Sequence, residues 1–156
     1  SLRYGLTETL YVTYVTWRSN MQSQFSINSS FHKKIKSLEE KVLVEAKDQL
    51  ADVARTAVSL SPVDTGAYVT SFSYTVGAGR PRGKSSDNKP KNQNPQGKQD
   101  EGFSNLMQDI SRIKDIKDLD EIQLRNRSPH AYDVENGENW RSQGYFVFAQ
   151  LRNIYG

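Results

Sequence analysis

Between Phe31 and Leu60 the apolar residues Ile35, Leu38, Val42, Ala46, Leu50, Val53, Ala57 and Leu60 recur at steps of three and four. That spacing puts them on one stripe of a helix, with Lys36, Glu39, Glu40, Lys41, Glu45, Lys47 and Asp48 on the other faces. The pattern predicts an amphipathic helix of about 30 residues, roughly 45 Å long at 1.5 Å per residue. A helix of that length in a chain of this size is expected to act as a spine for packing or as a surface shared with a neighbour. Pro62 sets its end, because the residue before a proline is pushed out of the helical region.

Elsewhere the periods are shorter. Thr7–Trp17 (TETLYVTYVTW) is dense in β-branched and aromatic residues and reads as a strand, with imperfect alternation. Tyr68–Val76 alternates more regularly and predicts a half-buried strand. Phe103, Leu106, Met107, Ile110, Ile113 and Ile116 suit a second, shorter amphipathic helix, and Leu119–Arg125 reads as another strand. Ala131–Asn136 predicts one helical turn closed by Gly137 in the left-handed conformation. Tyr145–Tyr155 stays open: strand by its β-formers, helix by Phe146, Ala149 and Leu151. There is no internal repeat. The order implies a single α+β domain over residues 1–156, a small antiparallel sheet packed against one long amphipathic helix.

Composition adds one qualification. Leu, Ile, Val and Phe number 35 of the 156 residues, 22%. That is just above the roughly 20% below which disorder is expected. A folded domain with a substantial unpacked segment fits. The candidate segment is Gly77–Asp100, where Arg80, Arg82, Lys84, Lys89, Lys91 and Lys98 face only Asp87 and Asp100, a net +4. The rest of the chain holds fifteen basic and sixteen acidic residues, a net −1. With Ala78 as its only apolar residue, the segment lacks surface to offset its ordering entropy, so it is expected to be a flexible basic loop. Such loops are often functional, or order on a partner, although a tolerated solvated insertion has the same composition.

The chemistry of catalysis is thin. The absence of cysteine excludes disulfides, thiolate zinc sites and a cysteine nucleophile. His32, in HKKIK, reads as a solvated surface residue. His130, Asp133 and Glu135 lie within six residues and offer nitrogen and oxygen donors, but side chains two apart on a helical turn diverge. Ser128 beside His130 has no orienting acid and no oxyanion hole in the spacing. GAGRPRGK lacks the strand-to-helix context of a phosphate loop. Neither an enzyme nor a cofactor is expected. No apolar run approaches the ~18 residues of a membrane span, and Ser1–Leu10 has no signal-type apolar region. An intracellular product or a particle component is expected, without a membrane partner.

The most informative local feature follows the long helix: Ser61-Pro62-Val63-Asp64-Thr65-Gly66-Ala67-Tyr68. Pro62 ends the helix, Asp64 and Thr65 can accept from nearby backbone amides, and Gly66 permits a positive φ for a sharp reversal. A long amphipathic helix followed by P-V-D-T-G and a strand resembles the signature of tailed-phage neck and tail-completion proteins of the head–tail joining type. That family's second element, a strand leading into a Y-A-x-x-x-E-x-G-like turn, has its counterpart in Asn126–Gly137. There Tyr132, Glu135 and Gly137 are kept, and His130 stands where the first aromatic is expected. The likeness covers Phe31–Val76 and Leu119–Gly137, a little over 40% of the chain. The N-terminus, the basic segment and the helix after it depart from the family pattern.

The resemblance implies a structural role without catalysis. It implies a homo-oligomeric ring, sixfold or twelvefold, in the virion at the head–tail junction, assembled in the host cytoplasm. The ring would join portal or adaptor to tail proteins and keep the DNA channel continuous. Under it, Arg80, Arg82, Lys84, Lys89, Lys91 and Lys98 become a contact loop for a neighbouring subunit, an acidic portal surface or DNA in the channel. Glu135 has two readings, bonding backbone amides or pairing with Arg125 or Arg127 on the one hand, and a subunit contact on the other. Tyr132 is expected at a core or corner position. Trp140 and Arg141 are the candidate interface anchors, being residue types enriched in hot spots. The alternative is a nucleic-acid-binding module using residues 77–100, which the net −1 of the remaining chain does not favour.

Overall fold

The computed structural model describes residues 29–82, 94–137 and 143–156. The expected strand Thr7–Trp17, the basic residues Lys84, Lys89 and Lys91, and the pair Trp140 and Arg141 lie outside the described residues. Helix α1 runs Ser29–Leu60 and α2 is a single turn at Ala67–Thr70. Strand β1 (Phe72–Val76) follows, then α3 (Pro95–Ser111) and a 3-10 helix at Ile116–Glu121. Strand β2 (Ile122–Asn126), α4 (Ala131–Asn136) and α5 (Val147–Tyr155) complete the order. The two strands pair antiparallel, with Tyr74 opposite Leu124 and Val76 opposite Ile122. This is an α+β fold: a small antiparallel sheet packed against helices, the longest of which is α1.

The core forms where the α1 stripe meets the sheet and α3. Ala46, Leu50, Val53, Ala54 and Ala57 of α1 join Val69, Phe72, Tyr74, Leu106, Ile110, Ile113, Leu119, Ile122, Val147 and Leu151 in one buried cluster. Each fully buried aliphatic side chain of this kind contributes about 1.5–3 kcal/mol relative to exposure. The Tyr74 hydroxyl donates to the Leu50 carbonyl at 2.7 Å, fixing β1 against the middle of α1. Helix α3 comes close through Gly102, where a Cβ would overlap the Val69 carbonyl.

Four local expectations are corrected. Residues 67–70 form a helical turn rather than the first part of a strand, because Gly66 turns the chain at φ 86° and the Thr70 hydroxyl donates back to the Gly66 carbonyl at 2.7 Å. Strand β1 is buried along most of its length rather than on one face, since the Arg82 region covers its Ser73 side. The expected strand at Leu119–Arg125 starts only at Ile122: Asp115 and Asp118 close a capping box that winds Ile116–Glu121 into a 3-10 helix. The second helix begins at Pro95 and ends at Ser111, so Ile113 and Ile116 lie beyond it. Residues 95–100 are therefore helix and not part of a flexible basic loop. Asn94 caps that helix by accepting from the Gly97 amide at 3.0 Å, with Pro95 in the first turn, where its missing N–H costs nothing.

Candidate functional site

Ser61–Tyr68 and Asn126–Gly137, far apart in sequence, meet at one end of the sheet, where Asn126 reaches Tyr68. In the corner, Ser61 donates to the Ala57 carbonyl at 2.6 Å, and the Thr65 hydroxyl accepts from the Ala67 amide at 3.2 Å. Val63 packs on the core while Asp64 is exposed. Gly66 places the chain against Lys98 of α3, whose ammonium pairs with Glu101 at 2.8 Å. The reversal delivers Tyr68 to the second element: Asn126 Nδ2 donates to the Tyr68 carbonyl at 2.9 Å. The Arg127 amide donates to the Ser71 carbonyl at 3.4 Å. Burial, reinforced by the nearby Glu135 carboxylate, pushes the Tyr68 hydroxyl above the ordinary phenol range.

Glu135 is the pivot of the second element. Its carboxylate accepts from the Phe148 and Ala149 amides, both at 3.1 Å, in the first turn of α5. An anion on the exposed amides of a helix start satisfies donors the helix cannot, and it complements the helix dipole. Two backbone bonds hold the same junction, from Tyr145 to the Val134 carbonyl at 2.8 Å and from Phe146 to the Glu135 carbonyl at 3.1 Å. Gly137 closes α4 at φ 69°, in the left-handed conformation expected of it. Phe146 adopts φ 49° without being glycine, a costly backbone state that persists because its surroundings fix it. The aromatic series Tyr68, Phe72 and Phe148 links the residue after the corner to α5, with ring centroids 5.2 Å and 6.0 Å apart in succession.

Of the two readings of Glu135, its hydrogen bonds match the backbone-amide one; Arg125 instead bonds the Gln123 side chain, at 2.9 and 3.0 Å. Of core and corner, Tyr132 takes the corner: it is 62% exposed, on a short helical turn that buries none of its side chains. His130 Nδ1 lies 3.7 Å from Asp133, while Glu135 turns toward α5, and no group of three potential metal ligands occurs among the described residues.

The basic segment divides. Arg80 is exposed. Arg82 is drawn into the fold by an acid that sequence inspection passes over, Asp109 on α3, which is only 7% exposed. Its Nη2 donates to Asp109 at 2.7 Å and to the Asn105 carbonyl at 2.6 Å. Its Nη1 donates to Asp109 at 2.9 Å, to the Phe72 carbonyl at 2.6 Å and to the Ser73 hydroxyl at 3.1 Å. Asp109 in turn accepts from the Tyr74 amide at 2.9 Å. Arg82 is thus a structural clamp and not a free cation of a contact loop, and Lys98 belongs to a helix.

Comparison with known proteins returns nothing: no family model, no curated protein and no solved structure matches this chain. Among the described residues, no helix is long and apolar enough to cross a membrane.

Proposed function

We propose that this chain is a structural protein of a tailed-phage virion, forming a homo-oligomeric ring of six or twelve copies at the head–tail junction. It would join the portal-side connector to the tail and keep the DNA channel continuous. The observation that carries the reading is the meeting of its two motif elements. Ser61–Tyr68 and Asn126–Gly137 resemble neck-protein elements, and Asn126 Nδ2 of the second donates to the Tyr68 carbonyl of the first.

The rival reading, nucleic-acid binding through residues 77–100, loses ground. Of the six cations it needs, Arg82 pairs with Asp109 and Lys98 pairs with Glu101. Protein contact is the better use of the remainder.

Light scattering on the purified protein, with negative-stain images of the same peak, tests the ring. A mass of six or twelve subunits and an annular particle are expected. A monomer that stays monomeric when mixed with portal and tail proteins overturns the reading. A strong DNA affinity that falls steeply with salt would instead favour the rival.

A further inference from the structure

The second motif element ends in the dipeptide Asn136–Gly137, and no other asparagine of the chain precedes a glycine. Asparagine before glycine is the pair most prone to lose its side-chain amide. A residue without Cβ leaves its backbone nitrogen unhindered and free to adopt the conformation the reaction needs. The fold demands one half of that pair. Gly137 closes α4 at φ 69°, and a Cβ there would overlap the Gly144 amide nitrogen. Position 136 is instead an exposed helical site, open to any good helix former.

The reaction takes in water and releases ammonia. The Gly137 nitrogen, having given its proton to solvent, attacks Asn136 Cγ, so that an N–Cγ bond forms and the Cγ–Nδ2 bond breaks. Nδ2 leaves with that electron pair, takes up a proton and departs as ammonia, and a cyclic imide remains. Water then opens the imide at either carbonyl, and the nitrogen recovers its proton. Attack at Cγ breaks the new bond and gives aspartate. Attack at the main-chain carbonyl breaks the original peptide bond and gives isoaspartate, with the chain rerouted through Cγ.

Closed, α4 holds the two reacting groups apart. The Gly137 amide donates to the Asp133 carbonyl at 2.8 Å, which keeps its proton engaged. Asn136 Nδ2 donates to the Tyr132 carbonyl at 3.1 Å, drawing the side chain back along the helix and away from the Gly137 nitrogen. Yet α4 is a single turn that buries none of its side chains. Elements of that kind open locally at far lower cost than the body unfolds. After the reaction the turn cannot close as before. Isoaspartate adds one carbon to the main chain where Gly137 meets the backbone of Gln143 and Gly144. Either product also puts a new carboxylate at the C-terminal end of α4, where the helix dipole disfavours it.

We propose that Asn136 is a deamidation site gated by α4. It is protected while the turn is closed and reactive when the turn opens, and the isoaspartate form does not regain the original closure. A copy whose second motif element has opened is thereby marked in its covalent structure. This goes beyond the ring reading and stands whether or not the chain forms rings.

The test follows conversion of Asn136 over time, by peptide mapping and mass spectrometry, in mildly alkaline buffer. Three samples are compared: the native full chain, the same chain unfolded in guanidinium chloride, and native full-length Val134→Pro. Proline at 134 removes the amide that donates to the His130 carbonyl and pushes Asp133 out of the helical region, so α4 opens with Asn136–Gly137 unchanged. Conversion is expected to be at least about tenfold slower in the native chain than in the unfolded one, with Val134→Pro close to the unfolded rate. Equal native and unfolded rates, zero included, overturn the inference, and they do so even if the proline variant fails to fold. A folded Val134→Pro that keeps the native rate overturns it too. The last arm is amide exchange on the purified isoaspartate form. Its Tyr145 and Phe146 amides, which bond the Val134 and Glu135 carbonyls in the unmodified chain, should exchange at least about tenfold faster than they do there. Unchanged exchange at both would show that the turn re-forms, and the lasting mark would be refuted.

Discussion

The two halves of α1 carry one continuous apolar stripe and meet different fates. From Ala46 to Ala57, the stripe residues Ala46, Leu50, Val53, Ala54 and Ala57 are at most 1% exposed. Among the described side chains from Ser30 to Lys41 none belongs to the buried core, and Leu38 is 39% exposed. Val42 and Leu43 mark the boundary, half-buried against the core. Periodicity therefore establishes that a helix has an apolar face, and it is silent on what covers that face. The covered half is the spine of the fold. The projecting half is about 20 Å long at 1.5 Å per residue.

The widest separation between the halves should come from truncating the covered stripe. Leu50→Ala removes a fully buried side chain from the junction of α1 with β1, and it should cost about 3–4 kcal/mol in chemical denaturation. A cost below about 1 kcal/mol would mean that the body packs far less tightly around α1 than the structure shows.

Slightly smaller, and between β1 and α3, is the loss of Arg82. Arg82→Ala leaves Asp109 buried without its cation and leaves the Phe72 carbonyl without a donor. About 3 kcal/mol is expected, at the low end for a broken buried pair because the Arg82 side chain is 25% exposed. Adding Asp109→Asn should recover part of that loss, since a neutral amide suffers less from burial. Additive costs in the double mutant would show that the two side chains act separately.

These two sites differ in how far they could be read from sequence. Leu50 belongs to a periodic stripe, so Phe31–Leu60 gave the extent of α1 to within a few residues. Arg82 and Asp109 are twenty-seven residues apart with no local relation, and Arg82 stands in a stretch whose composition reads as solvated. A start signal for α3 was present in Asn94-Pro95, yet the surrounding Gly, Gln and Lys outweighed it. Residues 68–70 read as strand because Tyr, Val and Thr suit a strand alternation and a single helical turn alike. The role of Glu135 was half legible: its backbone partners were anticipated as a type, but their location on α5 depended on Tyr145–Tyr155 being a helix, which its composition left open.

A milder effect is expected at the turn. Glu135→Gln keeps the shape and one acceptor and removes the charge from the start of α5. About 1 kcal/mol should be lost, with faster exchange of the Phe148 and Ala149 amides and little change elsewhere. If exchange accelerated equally throughout the body, Glu135 would be holding the whole fold and not one helix start.

The smallest effect belongs to the projecting half and decides the comparison. Leu38→Ala removes a large apolar side chain from the same stripe as Leu50, at a position 39% exposed. Alanine also has the higher helix propensity, by a few tenths of a kcal/mol. Stability of the isolated subunit should therefore change by no more than about 0.5 kcal/mol. If Leu38→Ala destabilised a dilute subunit as much as Leu50→Ala, the projecting half would be packed against the chain's own residues 1–28. The contrast between the halves would then vanish. If it left the dilute subunit unchanged yet weakened association at high concentration, the exposed stripe would be a surface completed by another molecule. The same helix would then be a spine at one end and an assembly surface at the other, with Val42 and Leu43 as the boundary between the two.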